Sequence, residues 1–169
     1  SLSSVAVNLS ASTIYDYSLV HTVESALAIW DLPPQLLMLE VTESSLMKDP
    51  AVCFRNLSKI REKGVKISID DFGTGFSSLN YLKRYPIQKL KIDKSFVDGL
   101  ADDQEDQAIV TAIIGLAHGL RFKTIAEGVE TQEQLEFLQR HGCGAYQGYY
   151  FSKPVPPEQI VELLLSQTT

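Results

Sequence analysis

The sequence predicts an α/β fold whose parallel strands curl into an incomplete, TIM-like (β/α) barrel. Two observations carry that expectation. Six short apolar runs alternate with stretches of helical periodicity along 169 residues, the order of a parallel sheet with right-handed crossovers. Polar residues then follow those runs on five different strands: Asn8, Glu40, the pair Asp70 and Asp71, Asp93 and Glu127. An open doubly wound sheet accommodates the alternation equally well, but only a closed or nearly closed barrel brings so many strand ends to one focus. A complete barrel takes eight strands and about 250 residues. About six parallel strands are therefore expected, with the N-terminal ones missing and one side of the sheet exposed.

The first run, Val5 to Leu9, starts abruptly and forms one edge. Val20, Val23, Leu27 and Trp30 recur at helical spacing until Pro33 and Pro34 end the helix. Leu36 to Val41 is the second strand, leading to Glu40 and Glu43. Asp49 and Pro50 supply an N-cap and a first-turn proline for a helix that turns Phe54, Leu57 and Ile60 inward and stops at Gly64. Val65, Ile67 and Ile69, β-branched at period two, make the third strand, which ends in two adjacent carboxylates and a loop with Gly73 and Gly75.

A short helix from Leu79 to Lys83 precedes Pro86, and Gln88 to Ile92 forms the fourth strand. The longest helix spans Gln104 to Leu120 with Ile109, Ile113, Leu116 and Leu120 on one side. The acids at its start, Asp102, Asp103, Glu105 and Asp106, suit the positive end of the helix dipole. Lys123 to Ala126 is the fifth strand. Thr131 and Gln134 match a capping box for a helix that buries Leu135 and Leu138. Ala145 to Tyr149 is the sixth strand and the other edge, and Pro156 and Pro157 open a last helix with Ile160, Leu163 and Leu164.

Composition narrows the function classes. With 44% apolar residues the chain can bury a core as one domain, and its net charge of -6 argues against nucleic-acid polymers and anionic membrane surfaces as partners. A small anionic ligand stays compatible, because a metal inverts the local sign. Cys53 and Cys143 lie far apart in no metal-ligand spacing and read as buried apolar residues of a reducing compartment. No stretch has the length and apolarity of a membrane span, and the first residues lack signal-peptide character. The expected location is the cytoplasm, or a cytoplasmic domain of a larger, membrane-bound protein.

One carboxylate per strand end plus a carboxamide is an all-oxygen ligand set, which favours Mg²⁺, Mn²⁺ or Ca²⁺ over zinc. Adjacent Asp70 and Asp71 repel, a repulsion relieved by a cation or a proton. They can face two cations about 3.5–4 Å apart, as in two-metal phosphoryl chemistry. Lys91 leaves its strand on the same face as Asp93. It reads either as a charge balancer or as a group that holds a nucleophilic water or phosphate charge.

The run Asp70-Asp71-Phe72-Gly73-Thr74-Gly75-Phe76-Ser77-Ser78-Leu79 closely resembles the signature loop of EAL domains, the bacterial phosphodiesterases that degrade cyclic di-GMP. Val7-Asn8-Leu9-Ser10, Leu39-Glu40-Val41-Thr42-Glu43, Leu90-Lys91-Ile92-Asp93, Ala126-Glu127-Gly128-Val129-Glu130 and Gln147-Gly148-Tyr149 agree in the same order. The resemblance implies a single EAL-type domain over residues 1–169 that lacks its N-terminal portion, since the Glu-Ala-Leu tripeptide and the arginine after it are absent. It implies Asn8, Glu40 and Asp70 on a first metal and Asp71 on a second, with Asp70 bridging. Mg²⁺ or Mn²⁺ is implied as cofactor, with Ca²⁺ inhibitory. Lys91, Glu127 and Gln147 would then order the catalytic water. Glu43 would hold the loop carrying Phe72 and Gly73, and Ser152 and Pro154 would lie in a segment that contacts a guanine.

The implied reaction is opening of cyclic di-GMP to linear pGpG by metal-activated water. A homodimer or strand-exchanged oligomer, and attachment to sensor or GGDEF-type domains, are the implied assemblies. The competing expectation is a non-catalytic cyclic di-GMP receptor or a regulatory or dimerisation module, favoured by the missing tripeptide. An unrelated metal-dependent barrel, such as an enolase-like lyase, is disfavoured by the number of matching motifs.

Overall fold

The computed structural model describes residues 4–75 and 79–160. Phe76, Ser77 and Ser78 of the glycine loop, and Leu163 and Leu164 of the last expected helix, lie outside the described residues. Within the described residues six parallel strands form one sheet in sequential order: β1 (Val5–Leu9), β2 (Leu37–Thr42), β3 (Lys66–Phe72), β4 (Lys89–Ile92), β5 (Lys123–Ala126) and β6 (Ala145–Tyr146). Among the described residues β1 and β6 do not pair, so the sheet is not closed. Val5 and Val7 are exposed on the β1 edge.

Among the described residues eight α-helices accompany the strands: α1 (Ala11–Ile14), α2 (Leu19–Ile29), α3 (Glu43–Met47), α4 (Pro50–Glu62), α5 (Leu79–Arg84), α6 (Lys94–Asp98), α7 (Gln104–Gly119) and α8 (Gln132–Arg140). Residues 157–160 begin a further helical turn. The expected caps form as the chemistry requires. Asp49 accepts from the Val52 amide, and Thr131 and Gln134 complete the capping box of α8.

The main core lies between the sheet and the helices, with Val41, Ile67, Ile69, Leu90 and Ile92 from the strands meeting Leu57, Val97, Val110, Ile114 and Leu138. Both cysteines are buried and free.

Three helix faces differ from the periodic reading. Phe54 is 43% exposed, because α4 points Cys53, Asn56, Leu57 and Ile60 inward and leaves Phe54 tilted against Tyr85 at 6.0 Å. On α7 the buried residues are Val110, Ile113, Ile114 and Ala117, a face rotated away from Ile109, which is exposed. Trp30 caps the end of α2, ahead of the turn into β2, and is 80% exposed. The sixth strand is shorter than expected: its ladder with β5 covers Ala145 and Tyr146, after which Gln147 exchanges backbone bonds with Ala126 and Val129.

Candidate functional site

Parallel pairing in register delivers the polar residues to one end of the sheet. Asn8 stands beside Glu40 on the neighbouring strand, and Thr42 beside Asp70. Between β3 and β4 the register shifts: Ile69 pairs with Leu90 and Phe72 with Ile92, so Asp70 and Asp71 together oppose the single residue Lys91. This is a β-bulge, with Asp71 in the left-handed region at φ 52°. In a regular strand adjacent side chains point to opposite faces. The bulge lifts that constraint, and carboxylate oxygens of Asp70, Asp71 and Glu127 all lie within 4.8 Å of one another.

Lys91 sits at the focus. It is buried, and its Nζ donates to Glu40 at 2.7 Å, Asp70 at 2.9 Å and Glu127 at 2.7 Å. Burial alone would lower its proton affinity, but the bonds to Glu127, Glu40 and Asp70 outweigh that and hold it above the usual lysine range. Burial pushes Glu127 up, an effect Lys91 offsets in part while Asp70 and Glu40 add to it. Asp71 is also raised, first by burial and then by the charges of Asp70 and Asp93. The cluster thus carries more negative charge than one ammonium neutralises.

The supporting residues occupy distinct places. Glu43 is buried in the first turn of α3 and accepts from the Gly73 amide at 3.0 Å and the Gly75 amide at 3.4 Å, tying the glycine loop to β2. Phe72 is buried at the end of β3. Gly73 has φ 103°, and a Cβ there would meet the Phe96 ring at 2.8 Å, so two reasons select glycine. Asp93 caps α6 through the Ser95 amide and hydroxyl. Gln147 is exposed, and its segment is fastened where Gly148 passes so close to Val129 that a Cβ would lie 2.1 Å from the Val129 carbonyl oxygen. Ser152 and Pro154 follow in the chain past this crossing, with the Ser152 hydroxyl donating to the Lys153 carbonyl.

The structure therefore joins Glu40, Asp70, Asp71, Lys91 and Glu127 directly, with Asn8 in register beside Glu40. Asp93 reaches the cluster through Asp71, and Glu43 reaches it through the loop. The feature that sequence reasoning missed is the bulge. Its one sequence signal is an adjacent acidic pair that closes a strand immediately before glycine.

A curled parallel sheet with an oxygen-rich acidic cluster at its carboxyl end defines a barrel-type protein built to hold hard cations or charged ligands. The chain belongs to the EAL domain family, which it matches over residues 1–154. It is 50% identical over 157 residues to the bifunctional diguanylate cyclase/cyclic di-GMP phosphodiesterase MucR of Pseudomonas aeruginosa, spanning 93% of this chain and 23% of that protein. It superposes on a solved structure of the MucR phosphodiesterase in complex with c-di-GMP at a TM-score of 0.90, covering 93% of this chain and 64% of that one. A manganese/cyclic di-GMP complex of BlrP1 from Klebsiella pneumoniae is 33% identical with a TM-score of 0.82, over 89% of this chain and 39% of that one. The chain thus spans less than a quarter of the curated relative's length. Among the described residues no helix is long and apolar enough to cross a membrane.

Proposed function

We propose that this chain forms part of a metal-dependent phosphodiesterase domain that hydrolyses cyclic di-GMP to linear pGpG. The observation that carries the reading is the convergence of Asp70, Asp71 and Glu127 within 4.8 Å around a buried lysine. The donor set fits hard divalent cations, because every candidate ligand offers oxygen and the cluster's negative charge exceeds what Lys91 balances. Asn8, Glu40 and Asp70 would hold one ion, and Asp71 a second with Asp70 bridging. Mg²⁺ or Mn²⁺ is the expected ion, with Ca²⁺ inhibitory; the BlrP1 manganese complex supports a divalent site of this kind. When bound, such ions activate water and neutralise phosphate charge.

The chain's own residues do the rest. Lys91 holds three carboxylates at hydrogen-bond distance, so the site is ordered before a ligand arrives. Glu127, raised by burial, is placed to hold or accept a proton from a water within the cluster. Gln147 extends that water network, and Glu43 fixes the loop that carries Phe72 and Gly73. Ser152 and Pro154 belong to the segment that receives a guanine. The chain acts as one EAL-type unit, and the open β1 edge favours a homodimer or strand-exchanged oligomer. Sensor or GGDEF-type domains in the parent, and a cytoplasmic setting, complete the proposal.

The test is hydrolysis of cyclic di-GMP with and without Mg²⁺ or Mn²⁺, using the parent protein and the 169-residue chain. The parent is expected to turn over and to lose activity in Asp70→Ala or Glu127→Ala. The isolated chain should be at least about 10²-fold slower, since small displacements of a two-metal site cost that much. An inactive parent that still binds cyclic di-GMP would favour the receptor reading.

A further inference from the structure

The amino end of the same sheet carries a second concave surface. Lys66, Lys89 and Lys123 are the first residues of β3, β4 and β5, and Lys89 and Lys123 are register partners. Counting by twos along each strand, Lys89 shares a face with Lys91, and Lys123 shares one with Ile125 and Glu127. Lys66 likewise shares a face with Ser68 and Asp70. The three lysines stand on the face that bears the carboxylate cluster, at the other end of the strands.

Together with Arg61 and Arg121 they line a cavity of about 500 Å³ whose wall contains no acidic residue. Five of the chain's 15 lysines and arginines converge there, in a protein of net charge -6. Arg61 lies in the last turn of α4 and Arg121 just beyond α7, where cations complement helix carboxyl ends. Lys89 and Lys123, at the starts of strands, have no such local reason. Among the described residues Lys89, Lys123, Arg61 and Arg121 form no ion pair. Lys89 is pushed below the usual lysine range by burial and by Lys66 and Lys123. Its register partner Ser68 is fully buried with a hydroxyl that has no partner among the described residues.

We propose that this lysine-lined cavity is a binding site for a phosphate-bearing anion, separate from the carboxylate site. Converging ammonium and guanidinium groups match a multiply charged acceptor, which would relieve their mutual repulsion. The volume falls in the range of small-ligand sites, large enough for pyrophosphate or the phosphate arm of a nucleotide.

Calorimetry and thermal melts of the 169-residue chain test this in metal-free buffer, with sodium pyrophosphate or ATP compared against sodium chloride at equal ionic strength. Saturable pyrophosphate binding with a rise in melting temperature is expected. Lys89→Gln/Lys123→Gln should weaken it at least about tenfold, the scale of a lost charge-assisted hydrogen bond. Asp70→Asn, at the other end of the strands, should leave it unchanged. If the double variant fails to fold, Lys123→Gln alone, at an exposed position, carries the same test. Equal binding of both probes assigns recognition to phosphate alone, and preference for ATP adds a contact to the nucleoside; either supports the site. A response no greater than that to chloride, or one that survives loss of the lysines, overturns it.

Discussion

The two ends of the sheet place charge in opposite ways. At the carboxyl end Lys91 meets Glu40, Asp70 and Glu127, each within 2.9 Å, so unlike charges are buried together. At the amino end Lys66, Lys89 and Lys123 gather with two arginines and no acid in the wall. The first arrangement is held by direct hydrogen bonds, while in the second Lys89 and Lys123 face each other as like charges in register. One end is therefore ordered by its own residues and sensitive to losing one. The other should tolerate substitution and respond to salt.

The sharpest way to break the contrast is Lys91→Met. Removing the cation strands three carboxylates in a site where each is less than a fifth exposed. A loss of about 3–5 kcal/mol is expected by denaturant unfolding at neutral pH. The sign follows from the carboxylates: without Lys91 their charged forms are disfavoured in the folded state. The deficit should be full at neutral pH and shrink on acidification toward about pH 4. A variant as stable as the parent chain would show that the lysine is not the organising charge.

Glu43→Ala comes next. It removes the acceptor for the Gly73 and Gly75 amides, at an expected cost of about 1–3 kcal/mol. Hydrogen exchange at those two amides should accelerate more than at β2 or β4, and uniform acceleration would contradict the assignment.

At the amino end, Lys89→Gln should move stability by no more than about 0.5 kcal/mol, upward and at low salt. Lys89 is pushed below the usual lysine range. Its charge therefore opposes folding at neutral pH, and the gain in the variant should fade as pH rises through that depressed value. Destabilisation by the substitution would mean that the lysine has a structural partner.

The smallest expected signal lies in the core. Burial pushes the Cys53 thiol up to about 12 and raises Cys143 as well. Iodoacetamide at pH 8 should label neither until the protein is unfolded. Rapid native labelling would reveal an opening of the core around them.

The strands were legible because short apolar runs alternate with stretches of helical periodicity, and five of the six expected runs lie within one or two residues of those observed. The short helices α1, α3 and α6 were not foreseen. Four or five residues are too few for a periodic face, and two of these helices are fixed by caps, at Ser10 and Asp93. Asp93 shows why a strand-end acid is ambiguous: in a strand-helix unit the same position serves as N-cap. The carboxylate set was readable, but its arrangement around Lys91 depends on the register shift at Asp70 and Asp71, which hydropathy does not record. Phe54 and Ile109 mark the same limit for helices, where spacing identifies a stripe but not its centre.

The sequential strand order also bears on how the chain assembles during synthesis. Each strand pairs with the one translated just before it, so pairing can advance from β1 to β6 without waiting for distant sequence. The acidic cluster is the exception, because Lys91 lies 51 residues beyond Glu40. At about 5–20 residues per second, Glu40 precedes its counterion on the ribosome by about 3–10 seconds. Through that interval the nascent sheet carries its negative charge uncompensated, which should keep β2 and β3 open to water until β4 docks.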